Sequence, residues 1–526
     1  MRNKIIIVGT GLAGMVAAYV AQHKGAEVIL VDRGPIGIGT NSSLANGVFA
    51  GPTRHCSSDA YIQETCETGR YINNQSVVRL IAEEAPDAFQ FLRSLGLNLR
   101  ETSNHHIIES SLPGIIPGVV LMRKLVETLK NLERIHFVKG LYITEILVEK
   151  NNVCGVKGIN KNGEEIFIQS PVVVLATGGA GAIYLRNDNQ KNIMGQGYYL
   201  AARVGLQLWD MEFIQFYPLV LAEPHLSQLL VYPPYPKEAK LINAAGEDII
   251  GKYNLGDINR AIRKKRDEIS AWLFEESSTG TVKMDFRDVP DHLWDIHPLS
   301  LMKKINFDFR SKPVAVSPAA HFFMGGVRTD GTGQTDVNGL FACGEIAWGL
   351  HGANRMGGNA LTECVVTGSI VGRHTAQYCR DFWKVSLHHE ELPKTSFPHQ
   401  PPRSKGGLKE ILRTIKEIAW NHAGVVRSEK GMQEGFAKVE EIKRQLRGII
   451  PENPAEKILS EDLKSAIFTL EAILAAGIGR RESRGSFIRK DFPHEDNVNW
   501  SKNSCLQYHA GEELFSVDYH SGMLKT

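Results

Sequence analysis

Ile5-Ile6-Ile7-Val8-Gly9-Thr10-Gly11-Leu12-Ala13-Gly14 stands near the start of this chain. Four consecutive apolar residues read as a buried strand. The strand runs straight into a G-x-G-x-x-G turn. A helix follows over roughly 13–24, and a second strand from Glu27 to Val31 ends at Asp32, so residues 4–33 read as a βαβ unit. The three glycines do separate things: a tight turn, close approach of backbone to a pyrophosphate, and close packing of helix on strand. The helix N-terminus favours negative charge. Asp32 lies 18 residues after Gly14, where an acidic side chain accepts hydrogen bonds from a ribose. Gly9, Gly11, Leu12, Ala13, Gly14, Asp32 and its neighbour Arg33 are the first candidate dinucleotide contacts.

Working outward, a second glycine-dense turn stands about 340 residues later, His351-Gly352-Ala353-Asn354-Arg355-Met356-Gly357-Gly358-Asn359. The two segments read together as the halves of one FAD site. Between them, Gly39 to Gly47 is small and polar. Thr40, Ser42, Ser43, Asn46 and Gly47 suit flavin phosphates and ring edges, although a surface loop has the same composition. Periodicity predicts a helix over 76–99. Residues 135–175 read as a β-meander with a hairpin turn at Asn162-Gly163. Its last strand enters Ala176-Thr177-Gly178-Gly179, a second place where backbone can approach a dinucleotide.

A length of 526 residues calls for two or three domains. The net charge of +2 gives no reason to expect nucleic-acid binding. Seven cysteines contain no C-x-x-C pair, which argues against an iron–sulfur cluster or zinc held by this chain, and no metal is expected. They read as reduced thiols of a cytosolic protein. No apolar run approaches the ~18–20 residues that span a bilayer. The N-terminal apolar run is a strand and not a signal peptide. Cytoplasmic placement is therefore expected, with any membrane contact made through a partner. Residues 244–310 are rich in Lys and Arg, with helical periodicity at 258–276, and read as an insertion. After the prolines at 393–402, helices are predicted at 407–420, 430–447 and 460–479. The expected architecture is an α/β, Rossmann-like FAD-binding domain (1–225 and 318–385) with an inserted α+β capping domain (226–317) and a C-terminal helical domain (405–526).

The chain resembles the flavoprotein subunits of fumarate reductase and succinate dehydrogenase, together with L-aspartate oxidase. Six stretches carry the resemblance: residues 9–14, 176–181, Asp210 to Phe216, His321 to Gly326, Gly339 to Glu345, and 351–359. Arg480-Arg481-Glu482-Ser483-Arg484-Gly485 adds a seventh. The resemblance implies hydride exchange between flavin N5 and a C–C bond of a carboxylic acid. It implies that His321 and Arg355 hold a carboxylate and that Arg266, in R-D-x-x-S, transfers the proton. It adds Glu345, Arg355, Asn359, Ala360 and Leu361 to the flavin contacts, and Gln196 where an Asp is usual. On composition alone, Arg266 reads as a charge on a solvated helix and His321 as a satisfied core histidine, while Arg355 is open between structural and functional roles.

Three departures from the family matter. Gln215-Phe216-Tyr217-Pro218 replaces Q-F-H-P, so Tyr217 stands where a second substrate histidine would be. The segment Leu229 to Glu238 contains no Thr-Glu pair in any register, where the family has T-E-G-x-R. Tyr232, Tyr235, Lys237 and three prolines occupy it. Asn41-Ser42-Ser43 supplies no histidine for covalent attachment, so FAD is expected to be non-covalent. The expected function is an FAD-dependent oxidoreductase for a small carboxylic acid, with a pocket diverged from the dicarboxylate pattern and electrons exchanged with an iron–sulfur partner subunit. Alternatives are a fumarate reductase or succinate dehydrogenase proper, a stand-alone oxidase like L-aspartate oxidase, and a non-catalytic electron-transfer subunit. Tyr217, Tyr232 and Lys237 are the expected pocket residues, with Lys237, Glu238 or a tyrosine hydroxyl as the replacement proton donor.

Overall fold

The computed structural model describes residues 4–109, 114–385 and 407–521. The proline-containing segment read as a linker at 393–402 lies outside the described residues. The apolar run Lys4–Val8 is the centre of a five-stranded parallel sheet. The order across the sheet is Leu340–Ala342, Val173–Leu175, Lys4–Val8, Glu27–Asp32, Ile135–Lys139. Ile5, Ile6 and Ile7 are fully buried, because a parallel sheet is covered on both faces. The Leu12–His23 helix covers one face and packs on the Asn359–Val385 helix, which packs in turn on Gln75–Ser94.

Two sequence expectations are corrected here. The predicted 76–99 helix ends at Ser94, because Gly96 takes φ +85° and the chain then enters a strand at Leu99–Glu101. Residues 135–175 are not one meander. Ile135–Lys139 and Val173–Leu175 join the parallel sheet, and only Leu141–Glu149, Asn152–Asn160 and Glu165–Gln169 form an antiparallel meander. Asn162-Gly163 does turn the last of these hairpins: Asn160 Oδ1 accepts from the backbone N–H of Asn162 and Glu164, and Gly163 takes φ +81°.

The inserted region builds a separate four-stranded sheet, ordered Ile214–Leu221, Val314–Phe323, Lys283–Asp285, Lys240–Ile242. The boundary set at 317/318 falls inside the continuous Val314–Phe323 strand, which carries chain from the cap back to the cofactor domain. Along this sheet packs the Ile258–Glu276 helix, capped by Asp257 and broken at Lys265 (φ −131°, ψ 35°). Ser270 Oγ donates to the Phe216 carbonyl at 2.9 Å and fixes the second half of that helix on the sheet.

C-terminal helices occupy Leu408–His422, Glu429–Arg447 and Pro454–Gly479. Beyond them lies a hairpin, Asn503–His509 with Leu514–His520, which pairs back onto Leu208–Trp209. The sequence pattern predicts no strands there. A buried ion network ties this end to the cofactor domain: Arg480 donates to Glu212 at 2.7 Å and to Glu482 at 2.9 Å, all fully buried. Each charge there is paired, as burial requires.

Candidate active site

At the C-terminal edge of the parallel sheet, where ligands of such sheets bind, lies an elongated cleft. Gly9, Gly11, Leu12, Ala13, Asp32, Arg33, Thr40 and Ser42 line it from one side. Ala176, Thr177, Gly178, Gly179, Gln196 and Glu345 line it from the other. The turn geometry follows from the sequence. Gly9 takes φ +110°, and a Cβ there would fall 2.2 Å from the Ala176 carbonyl oxygen. A Cβ on Gly14 would fall 2.1 Å from the Gly9 oxygen, so Gly14 serves the packing beneath the turn rather than the cleft.

Asp32 accepts from Thr10 N at 2.9 Å and from Gly34 N at 2.8 Å, which holds its carboxylate at the strand end with acceptor capacity to spare. Arg33 grips Asp462 at 2.5 Å and so links the cofactor domain to the Pro454–Gly479 helix. Gln196 hydrogen-bonds the Ile143 carbonyl.

The residues fit FAD. The cleft has glycine backbone on both walls, and a Cβ on Gly179 would collide with Glu345 Oε1 at 2.4 Å. The buried Thr177 hydroxyl has no protein partner. The Leu12–His23 helix presents its N-terminus there, where Ser42 Oγ accepts from Leu12 N at 3.1 Å.

A second cavity of about 310 Å³ continues from the first through Asn41, Ser42, Glu345 and Cys364. Arg266, His321, Arg355, Tyr217 and Tyr232 all line it, with Asn46, Ala360 and Leu361. The break at Lys265 sets Arg266 at the start of a new helical segment, with its guanidinium 5.5 Å from the Tyr217 ring centre. Arg355 is buried. It donates to Gln215 at 2.7 Å and lies 4.8 Å from the Phe322 ring centre. Both arginines keep a buried Nε–H with no protein partner. Burial and the facing Arg266 push Arg355 down to about 9, still charged at neutral pH. His321 Nδ1 pairs with Asp188 at 2.7 Å, which leaves Nε2 as its other nitrogen. Burial pushes Glu345 up to about 7.

The tyrosines of the cavity are engaged, and the Tyr217 ring lies 5.5 Å from the His321 ring and from the Arg266 guanidinium. Tyr235 donates its hydroxyl proton to the Val231 carbonyl at 2.8 Å, so at 3.0 Å it accepts from Tyr217. The Tyr217 proton is thereby committed. Tyr232 donates to the Leu44 carbonyl. Leu44, Val48, Leu229, Leu230 and Pro233 complete an apolar wall.

Besides Gly14, five expected residues do not reach either cavity. The Ser43 hydroxyl bonds the Ile38 and Thr40 carbonyls inside the loop. Gly47 takes φ +68° against Pro117 and Ile108. Buried Asn359 accepts from Tyr61 at 2.9 Å and braces the helix start. Lys237 is exposed on the outer side of its turn, and Glu238 with it. Asp188 and Asn354 belong to the site or its wall and were not read from sequence, and Asp267 was given no role although it stands in the R-D-x-x-S motif. Of the first two, only the acid in Asn187-Asp188-Asn189, just beyond the A-T-G-G turn, offered a signal.

Comparison with known proteins agrees with this geometry. The model of an FAD binding domain matches residues 4–361, and that of a fumarate reductase flavoprotein C-terminal region matches 412–525. The chain belongs to the fumarate reductase, succinate dehydrogenase and L-aspartate oxidase flavoprotein family. It is an FAD-dependent oxidoreductase of that family. An L-aspartate oxidase from Pyrococcus abyssi is 31% identical over 499 residues, covering 93% of this chain and 95% of its own length. A subunit of the fumarate reductase (CoM/CoB) of Methanothermobacter marburgensis is 28% identical over 540 residues, covering 95% and 96%. Among solved structures, an E. coli quinol fumarate reductase flavoprotein superposes with TM-score 0.86 at 23% identity, covering 100% of this chain and 97% of that one, which shows a shared fold. No helix among the described residues is long and apolar enough to cross a membrane.

Proposed function

We propose that this flavoprotein exchanges hydride with a carbon–carbon bond of an acid that carries one carboxylate. One observation carries the reading. Buried Arg355 and half-buried Arg266, each with an unpaired Nε–H, line the second cavity with His321, while the Tyr217 and Tyr232 hydroxyls there are spent on protein acceptors. Unpaired buried charge is costly, so the cationic cluster calls for an anion. Arg355 suits the planar carboxylate. His321, oriented by Asp188, supplies a second donor. The side chains of Leu44, Val48, Leu229, Leu230 and Pro233 offer apolar contact and no donor to a second carboxylate.

FAD in the first cleft supplies the two-electron chemistry when bound. The protein's part is to orient the acid beside that cleft, exclude water and deliver a proton from Arg266. An iron–sulfur partner is the proposed electron source. The lack of any C-x-x-C pair among this chain's seven cysteines supports it, and so does kinship to a relative named as a subunit. The test is a spectrophotometric screen with reduced viologen as donor against crotonate, trans-cinnamate and fumarate. Turnover of a monocarboxylate with little of fumarate supports the reading. Efficient fumarate turnover with inert monocarboxylates overturns it.

A further inference from the structure

The Glu of the family's T-E-G-x-R, which the resemblance implies feeds the proton relay, is missing from Leu229 to Glu238, and the donor candidates of that segment do not replace it. Lys237 and Glu238 are exposed and off the cavity. The Tyr232 and Tyr235 hydroxyl protons are held by the Leu44 and Val231 carbonyls. The wall behind Arg266 offers another group.

A polar crevice of about 940 Å³ lies between the cap, the cofactor domain and the C-terminal segment. His105, Arg266, Arg355 and Gly357 line both this crevice and the substrate cavity, so the two arginines are the partition between them. Asp267 lines only the crevice side. Its Oδ2 accepts from Asn354 Nδ2 at 2.5 Å, and Asn354 directly precedes Arg355. Its Oδ1 is buried and has no protein partner. The crevice rim carries the exposed side chains of Lys265 and Glu268.

From this placement we propose that Asp267 recharges Arg266 with protons drawn from the crevice. The proposal rests on the carbon–carbon reduction argued above. In that direction a hydride adds to one alkene carbon, and an Arg266 N–H bond breaks to give a proton to the other. The neutral guanidine takes the Asp267 carboxyl proton through a bridging crevice water, and further water in the crevice restores it. The two electrons enter with the hydride and come from an external one-electron donor, such as reduced viologen. One proton per turnover passes through Asp267.

Burial pushes the Asp267 carboxyl up to about 6, against the pull of Arg266 and Arg70 and with the help of Glu268. Glu64, Arg263 and Glu495 are further charges on the crevice. A donor titrating near the working pH is the efficient one.

The test compares FAD-loaded wild type with Asp267→Asn and Asp267→Glu. Asparagine keeps an oxygen for Asn354 but carries no transferable proton. With whichever of crotonate, trans-cinnamate or fumarate the wild type reduces, Asp267→Asn should lower kcat by roughly 10²–10³-fold. The Kd for that acid should move less than about threefold. The pH profile should lose its limb near 6, and Asp267→Glu should recover activity to within about tenfold of wild type. Wild-type kcat and pH profile in Asp267→Asn overturn the relay, as does a fall in kcat matched by an equal loss of acid binding. If the wild type reduces none of the three acids, the functional reading itself fails, and infrared difference spectra decide the relay separately. A carboxyl band that titrates between pH 5 and 7.5, shifts in deuterium oxide and is missing from Asp267→Asn supports a solvent-connected donor. Its absence from wild type overturns the proposal.

Discussion

At the residue scale, the site divides into groups found by type and groups found by position. Arg266, His321 and Arg355 were legible through their motifs, and the structure brings them to one cavity. Arg355→Ala and His321→Ala should each reduce turnover at least 10²-fold while FAD stays bound, measured as kcat/KM beside flavin absorbance. Asp188→Asn should cost roughly tenfold or more, because it removes the charge that holds Nδ1–H and orients Nε2. Asp188 was invisible in sequence because its partner is 133 residues away. Tyr235 was named in sequence, but not that it donates to the Val231 carbonyl and accepts the Tyr217 proton, which leaves both hydroxyls spent. Fumarate should therefore be a poor substrate. Losing a charge-assisted hydrogen bond costs roughly 1.5–3 kcal/mol. Two losses weaken binding by about two to four orders of magnitude. A viologen-linked kcat/KM above about 10⁵ M⁻¹ s⁻¹ for fumarate would contradict this.

At the element scale, long periodic segments were legible and pairing partners were not. The C-terminal helices fall within a few residues of their predicted bounds except Pro454–Gly479, which starts earlier because Pro454 at its first turn is a starter and not a break. Ile135–Lys139 and Val173–Leu175 misled because a short apolar run does not say whether its neighbour is parallel. The terminal hairpin was missed although Phe515, Val517 and Tyr519 alternate with Ser516 and Asp518 at strand period in its outer strand, Leu514–His520. Helix packing also contains a titrating contact. Glu471 is buried against Lys443, which donates to it at 2.7 Å. Burial, then a hydrogen bond to Glu440, pushes Glu471 up to about 8. In the unfolded chain the same group loses its proton near 4.3. Between those values the fold binds the extra proton, so this group's contribution to stability falls as pH rises. Glu471→Gln keeps a donor and removes the titration. Urea midpoints at pH 5, 6.5 and 8 should show the variant gaining on wild type by more than about 1.4 kcal/mol across the range, the worth of one pKa unit. A pH-independent difference would mean that Glu471 is not the group responsible.

At the scale of the whole molecule, the cofactor site is assembled from segments that span most of the chain. Gly9 and Asp32 come from its start, Thr177 to Gly179 from its middle and Glu345 from well beyond the cap. This is why two distant glycine turns said more about the fold than any single domain did, and why boundaries such as 317/318 were the weakest part of the reading. Such a site couples cofactor binding to the integrity of the whole cofactor domain. FAD should raise thermal stability by RT ln(1 + [L]/Kd), about 4 kcal/mol at a thousandfold excess over Kd. None of Asn41 to Gly47 is a histidine, and Asn41 already holds Asn189 at 2.6 Å, so that segment offers no nitrogen for a bond to the ring. His105 lines the second cavity, but one ring nitrogen is engaged with the Gly357 carbonyl at 3.0 Å and burial pushes its pKa down. Acid precipitation should therefore release all of the yellow colour into the supernatant, and the stripped protein should melt lower until FAD is restored. Flavin retained in a washed pellet would mean a covalent bond, and His105 would be the residue to substitute next.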